Sequence, residues 1–384
     1  MKDRRVIVLG QDHTNTTGMV QCLGQTGFCV EAVLWGGVTG LVKSSKFARR
    51  VHTAATPQAC IELIATKLRR DEPAAIIACC DDAAIALERN KELFGNNFRF
   101  EYVTGDWTIE GLCEKDLQVN LAKTTGFNVP WSSQPIETLD DVPDDVVYPC
   151  ITKSLVSCKG SKSDLTIVTT REELMIVLKD LLTHTPRIIL QQYIEHDYEI
   201  SVLGCGLTTG EVVIPCIENK LKIYPLNVGL VSLANVQPLS DTDNIRLSIC
   251  NLIKRIGYVG LFSVELMHSK ADGLFYFTEI NLRNDGANSF IYQYGFNLPL
   301  NHIEDLFDEP ITRFEKSYPG YYIWEMHHTF SLIHRDINFR TWLSDIRQSR
   351  GFLLYFNEDK KPFFKQYSNL LLHKLRLKKV RNYE

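Results

Sequence analysis

Residues 261–283 read LFSVELMHSKADGLFYFTEINLR, two apolar-rich runs either side of an Ala-Asp-Gly turn. If Lys270 and Leu274 close a hairpin around Ala271-Asp272-Gly273, the register sets Glu265 directly opposite Glu279. Side chains alternate across a strand, so Glu279, Asn281 and Arg283 then share one face. Like charges facing each other destabilise a sheet, and this pair is framed by Phe262, Val264, Phe275 and Phe277. Such a pair calls for a compensating cation. Two carboxylates and an Asn amide oxygen are hard ligands that suit Mg²⁺ carrying a phosphate. A solvated polar face on an edge hairpin is the plainer reading of the same residues, since exposed acids on strands are common.

Upstream, residues 1–105 alternate strand and helix signals. VIVLG (6–10) reads as a buried strand, followed by a helix from Gly18 to its stop at Gly27. CVEAVLW (29–35), a helical 57–69, AAIIACC (74–80) and a helix over 83–93 continue the pattern. Strands alternating with helices predict an α/β domain with a parallel, doubly wound sheet, placed at residues 1–108. Ligands of such sheets sit at the carboxyl ends of strands, here Gly10 to Thr17 and Asp81-Asp82. The loop GQDHTNTTG does not follow GxGxxG, so a dinucleotide fingerprint is absent and an NAD-linked oxidoreductase is nearly excluded.

After Gly105 the style changes to α+β, with antiparallel sheets expected over 109–310. A helix near 110–125 ends at Gly126, and a polar linker rich in Asp and Pro follows (134–145). VVYPCITKSL (146–155) and LTIVTT (165–170) read as strands around the loop VSCKGSKSD; Thr170 and Glu173 read as a capping box for EELMIVLKDLL. RIILQQYI (187–194), YEISVLGC (198–205) and EVVIPCI (211–217) read as further strands. Lys153 lies inside an apolar strand and needs an anionic partner. The loop with Lys159, Gly160, Ser161 and Lys162 suits phosphates, although a solvated hairpin tip looks similar. Main-chain groups of Gln192 to Ile194 suit a nucleobase and Glu199 its ribose; two ordinary core strands explain that stretch as well.

The order of these parts resembles the ATP-grasp superfamily, the fold of D-alanine–D-alanine ligase, biotin carboxylase and carbamoyl-phosphate synthetase. The parts are Lys115 in CEKD, Gly-Phe-Asn-Val-Pro (126–130), Lys153, the Lys/Gly/Ser loop, QQYI with Glu199, GYVGLFSVEL and FTEINLR, and the resemblance spans roughly residues 1–305. It implies ATP and Mg²⁺ as cofactors, with Mn²⁺ as an alternative. Lys115 and Lys153 match the phosphate lysines. Lys159 to Ser163, including Gly160 and Ser161, match a lid loop poorer in glycine than usual, within a lid subdomain at about 125–205. Gln191, Gln192, Tyr193 and Ile194 match the adenine hinge, and Glu199 the ribose ligand. Glu265, Glu279 and Asn281 match the metal ligands. Arg283 matches the Arg that holds an acyl phosphate or its oxyanion. Ser263 stands where D-alanine ligases place an Arg, which argues against that enzyme's substrate. The N-terminal stretch, Ser45-Lys46-Phe47 and ACCDDAA resemble D-aspartate ligase-like carboxylate–amine ligases. The expected activity is amide or peptide bond formation between a carboxylate and an amine, on a small molecule or a cell-envelope precursor, through an acyl phosphate. The rival is a nucleotide-binding scaffold or regulator without turnover. Phosphoryl transfer relies on positioning and charge neutralisation, which explains the missing Ser/His/Asp or Cys/His constellation.

Composition fits this reading. The 384 residues are long enough for two or three domains, and the net charge of −4 gives no electrostatic case for nucleic acid. No apolar run reaches the roughly 20 residues needed to span a bilayer. The eleven cysteines are scattered apart from Cys79-Cys80. MKDRRVIVLG carries no signal-peptide apolar region, so a cytoplasmic protein with reduced thiols is expected. Residues 311–384 read as an aromatic-rich C-terminal extension, with His327-His328 in an aromatic strand. It ends in a basic tail (Lys374, Arg376, Lys378, Lys379, Arg381), for which a docking helix with a solvated face is preferred over a membrane surface. An oligomer is left open.

Overall fold

Five short strands near the N-terminus form a parallel sheet because each is separated from the next by a crossover, most of them helical. They are β1 (Arg5–Gln11), β2 (Cys29–Trp35), β3 (Ala48–Ala54), β4 (Ala74–Ala78) and β5 (Phe98–Arg99), in the order β3-β2-β1-β4-β5. The computed structural model describes residues 4–37, 39–154, 166–225, 230–239, 244–314 and 320–381, with residue 154 and residues 372–381 by backbone alone. The central strand β1 is fully buried from Val6 to Leu9. The first helix spans Thr14–Thr26, starting earlier than expected, and stops at Gly27, whose φ of 99° is left-handed. β3 was not foreseen: its sequence, ARRVHTA, carries exposed Arg49 and Arg50, the kind of charge that blunts a sheet edge.

Two further sheets follow, antiparallel throughout except where the last two strands of the chain pair in parallel. β6 (Tyr102–Val103) leads into a small sheet of β7 (Cys150–Ser154), β8 (Ile167–Val168) and β9 (Ile188–Gln192), in the order β8-β7-β9, with helix Arg171–Leu181 beside it. β7 starts later than expected, since Pro149 has no N–H for a ladder. Thr170 Oγ1 accepts the Glu173 amide, but Glu173 Oε2 accepts from Thr169 instead of closing the expected reciprocal box on Thr170. The larger sheet contains β10 (His196–Gly206), β11 (Val212–Tyr224), β12 (Leu230–Pro238), β13 (Tyr258–Ser269), β14 (Phe275–Asn281), β15 (Gly320–Ile323) and β16 (Ser349–Phe352). Its order is β14-β13-β10-β11-β12-β15-β16, with β6 paired to β13. Helix Asn244–Ile256, with Ile249, Leu252, Ile253 and Ile256 buried, packs beside β11 and β13.

The deciding hairpin reaches its expected register by an unexpected route. Ser269 N–H donates to Leu274 C=O, and His268 pairs with Phe275, which starts the ladder one residue out of step. A bulge at Thr278 then restores the count, so that Glu265 does face Glu279 and Ser263 faces Asn281. On the outer edge of β14, Asn128 C=O takes the Phe277 amide.

The C-terminal segment joins the large sheet through β15 and β16. His327 and His328 lie on helix Glu325–Ile333, which corrects the strand expected there. Aromatic residues favour strands only where a ladder partner exists, and here the chain leaves β15 at Trp324 to pack a helix on β11 and β12. Glu325 Oε1 and Oε2 accept the backbone amides of Leu353, Leu354 and Tyr355, fastening the loop after β16.

Candidate active site

Cross-strand partners point to the same side of a sheet, so the pairings define the site face. Glu199 lies between Lys220 and Met267, Ser201 between Glu218 and Glu265, and Leu203 between Cys216 and Ser263. Glu265 continues to Glu279, and Ser263 to Asn281. Glu199, Glu218, Lys220, Glu265, Glu279 and Asn281 therefore share one face of four adjacent strands.

Lys220 supplies the cation that the facing acids require, and sequence reading missed it. Its Nζ lies 2.8 Å from Glu265 Oε2 and 3.1 Å from Glu199 Oε2. Burial alone would lower the ammonium pKa, but Glu265, Glu199 and Glu218 outweigh it and hold it above the ordinary lysine value. The usable signal was the alternation Glu218, Lys220, Lys222, which continues β11 past the expected end at Ile217. Glu218 was also missed; burial pushes its carboxyl up to about 7 despite Lys220 nearby. Burial likewise raises the Glu265 pKa, with Lys220 opposing and Glu279 adding to the shift.

From the small sheet, Lys153 reaches over with its Nζ 2.5 Å from Gln191 Oε1. Burial, then repulsion from Lys115 at the start of helix Lys115–Thr124, pushes its pKa down to about 8, with Glu279 opposing. The three groups Lys115, Lys153 and Glu279 are thus electrostatic neighbours although 164 positions separate the first from the last (279 − 115). Gln191 Nε2 donates to Ser132 Oγ at 3.2 Å. Two of the three hinge amides are taken: Gln192 N–H donates to Trp131 C=O and Tyr193 N–H to Pro149 C=O. The Ile194 carbonyl faces His196 Nδ1 at 3.2 Å, and its amide makes no hydrogen bond among the described residues. Lys159, Gly160, Ser161, Lys162 and Ser163 lie outside the described residues, as do the side chains of Lys374, Arg376, Lys378, Lys379 and Arg381.

Arg283 carries the site into the N-terminal sheet. Its Nε is 3.3 Å from Asp81 Oδ1, at the helix start after β4, and its Nη1 is 3.2 Å from Asp285 Oδ2. His13, at the carboxyl end of β1, has its imidazole pKa lowered by burial first, with Arg283 contributing. Asn15 Nδ2 donates to Cys79 C=O and Asn284 C=O, and Asn284 N–H donates to Ala78 C=O. The strand ends expected to face a ligand therefore lie beside the hairpin; Asp82 is exposed, and the ion pair of Arg283 is made by Asp81.

The hairpin residues fit a divalent cation. Glu265, Glu279 and Asn281 would offer two carboxylates and an amide oxygen on one face of the hairpin, while among the described residues no group of three His, Cys, Asp or Glu side chains is placed to hold a metal ion. Asn281 Nδ2 points to Ser263 Oγ at 3.5 Å, which leaves Oδ1 as a donor. Glu265 keeps one oxygen clear of Lys220, and the Glu279 carboxylate makes no hydrogen bond or ion pair among the described residues. Burial is the main cause of the raised Glu265 pKa, and the facing Glu279 adds to it, a repulsion that a cation between the two would relieve.

Residues 120–290 match the family model of the ATP-grasp domain. This stretch is an ATP-grasp domain. It contains Lys153, the hinge, Glu199 and the whole acidic hairpin, and leaves Lys115 just outside. No curated protein matches the chain by sequence. Among solved structures, N5-carboxyaminoimidazole synthetase from Staphylococcus aureus in complex with ADP superposes with a TM-score of 0.66 at 15% identity, covering 88% of this chain and 87% of that one. L-amino acid ligase from Bacillus licheniformis gives 0.55 at 16%, covering 80% and 75%. The biotin carboxylase domain of 2-oxoglutarate carboxylase from Hydrogenobacter thermophilus, solved with MgADP, gives 0.62 at 16%, covering 84% and 74%. At these identities the likeness is one of fold, and it covers most of the chain, well beyond residues 120–290.

Proposed function

We propose that this protein is an ATP-dependent ligase that activates a carboxylate as an acyl phosphate and joins it to an amine, releasing ADP and phosphate. The observation that carries this reading is the position of Arg283, two residues beyond Asn281 and in ion-pair contact with Asp81 at 3.3 Å. One guanidinium thereby links the acidic hairpin to the strand ends where an α/β sheet presents its ligand. The ATP-grasp family and fold neighbours that include an L-amino acid ligase and a carboxylase domain support it.

In this reading residues 1–108 and the 109–310 domain face each other across the cleft. Gln191 to Ile194 receive adenine, the Ile194 amide being the available donor, and Glu199 holds the ribose. Lys115 and Lys153 hold the phosphates. Glu265, Glu279 and Asn281 would hold Mg²⁺, which when bound neutralises charge on the transferring phosphoryl group. A carboxylate oxygen of the first substrate attacks the γ-phosphorus and the bond to ADP breaks. The amine nitrogen then attacks the acyl carbon, phosphate leaves, and the nitrogen loses a proton. Arg283 stabilises the acyl phosphate and the oxyanion that forms on amine attack. No protein nucleophile is needed.

Purified protein should release ADP from MgATP only when pools of both carboxylates and amines, amino acids included, are present. The Glu279→Ala variant should abolish that release. MgATP binding without turnover across a broad panel would instead leave a nucleotide-binding scaffold.

A further inference from the structure

We propose that the start of the C-terminal helix, together with the segment around Lys43, forms a docking surface for an anionic lipid bilayer. The helix spans Lys361–Arg381. One side of its first three turns is committed to the protein. Gln366 Nε2 reaches Met326 Sδ and Asn369 Nδ2 donates to Thr39 C=O on that side, while Tyr367, whose OH lies 3.1 Å from Thr329 Oγ1, marks its border. The opposite side should therefore be polar. Instead it presents Phe364 at 61% exposure and Leu371 at 64%. Seven residues make almost two full turns, so these two side chains emerge from one face of the helix. Single exposed apolar residues are ordinary on a protein surface. Two large ones on the solvent face of a docked helix form a pair of anchors.

Charge complementarity identifies what they meet. Asp359 is buried and accepts from Ser45 Oγ at 2.5 Å, the Lys46 amide at 3.1 Å and Gln21 Nε2 at 3.3 Å. This clasp sets the N-terminal end of the helix against residues 41–46 of the parallel-sheet domain. Lys43, Lys46, Lys360 and Lys361 are exposed, and the methylene chain of Lys365 lies against Gly40. Along 39–50 and 357–371 the only exposed acid is Glu358. Exposed lysines flanking an apolar helix face are the composition of a helix that lies in the plane of a negatively charged membrane. No helix among the described residues is long and apolar enough to cross a bilayer, so the contact is peripheral. Soluble polyanions would meet the lysines but gain nothing from Phe364 and Leu371, and that difference separates the two.

The full chain should be sedimented with vesicles of phosphatidylcholine, alone or mixed with phosphatidylglycerol, at low and high salt. Binding is expected only to the phosphatidylglycerol vesicles and should fade at high salt. Lys43→Ala with Lys361→Ala should weaken partitioning roughly 25-fold, from about fivefold per lysine near an anionic surface. Phe364→Ser with Leu371→Ser should weaken it by at least about tenfold. All four positions are exposed, so the variants should melt like the parent. The proposal fails if phosphatidylglycerol vesicles do not bring the protein down, if neutral vesicles bind equally well, or if either double variant binds like the parent. It also fails if heparin binds as tightly as vesicles and the Phe364/Leu371 variant loses nothing.

Discussion

Lys153 carries an ammonium whose acidity is set by where its strand places it. Burial and the nearby Lys115 disfavour the charge, Glu279 favours it, and the balance leaves a pKa of about 8. In the proposed site a nucleotide phosphate beside Lys153 needs the charged form, so binding should take up a proton wherever the free protein has lost it. Below about pH 8 the lysine is already protonated and MgADP affinity should be flat. Above it, the dissociation constant should climb toward about tenfold per pH unit until the pKa of the complex is reached. Lys153→Arg should stay flat, since a guanidinium keeps its charge. Calorimetric titrations between neutral and alkaline pH check this, and a flat profile for the parent protein would remove Lys153 from the phosphate site. The same shift has a stability counterpart with a definite sign. The unfolded chain holds more protons than the folded one between about 8 and the ordinary lysine value, so this group makes the apo protein gain stability as pH rises through that window.

At the scale of elements, what was legible in the sequence was whatever a turn and an alternation determine locally. Asp272-Gly273 with flanking Phe and Glu residues dictates a hairpin, and the facing of Glu265 and Glu279 follows from it. The Thr278 bulge was not legible, because the extra residue is accommodated by Asn128 packing on the β14 edge from 150 positions upstream (278 − 128). Lys220 escaped for a related reason: the strand was read only as far as its apolar stretch, whereas a strand lining a polar cleft continues in charged residues. Helix Glu325–Ile333 differs from the expected strand because the aromatic run Tyr321-Tyr322-Ile323-Trp324 before it suits a strand, which ends where tertiary packing makes the chain helical. That helix owes its place largely to Glu325, whose carboxyl is buried and collects three backbone amides. Glu325→Ala leaves those donors without partners and should cost about 2–4 kcal/mol, the range for several lost buried hydrogen bonds. Glu325→Gln keeps one acceptor and should lose less. Urea unfolding of both variants measures the difference, and an unperturbed Glu325→Ala protein would show that water replaces the carboxyl there.

Across the whole molecule, residues 320–356 belong to the large sheet as much as the hairpin does. Tyr322 stacks on Phe290 with ring centroids 3.5 Å apart, and Ile323, Leu353, Leu354 and Phe356 are all buried. Tyr322 faces the same side as Glu218, through Ala234 and Lys220 beside it, so this segment also walls the cleft. Asp359 then ties the chain back to Ser45 in the first domain, beside the helix that begins at Lys361. A chain ending at residue 314 would lose the burial of five large side chains. At about 1.5–3 kcal/mol each, that is roughly 7–15 kcal/mol, comparable to the ~5–15 kcal/mol by which whole domains are stable. It would also bare the β12 edge, an open template for association. Such a fragment should therefore be unfolded or aggregated by circular dichroism and size exclusion, and should not bind MgADP, although it retains the whole ATP-grasp match at 120–290. A soluble fragment that bound nucleotide normally would mean that the family domain closes its own core and that β15 and β16 are ornament. The buried stack of Tyr322 on Phe290 argues against that, because Phe290 is itself the last residue of the matched region and has no other aromatic partner among the described residues.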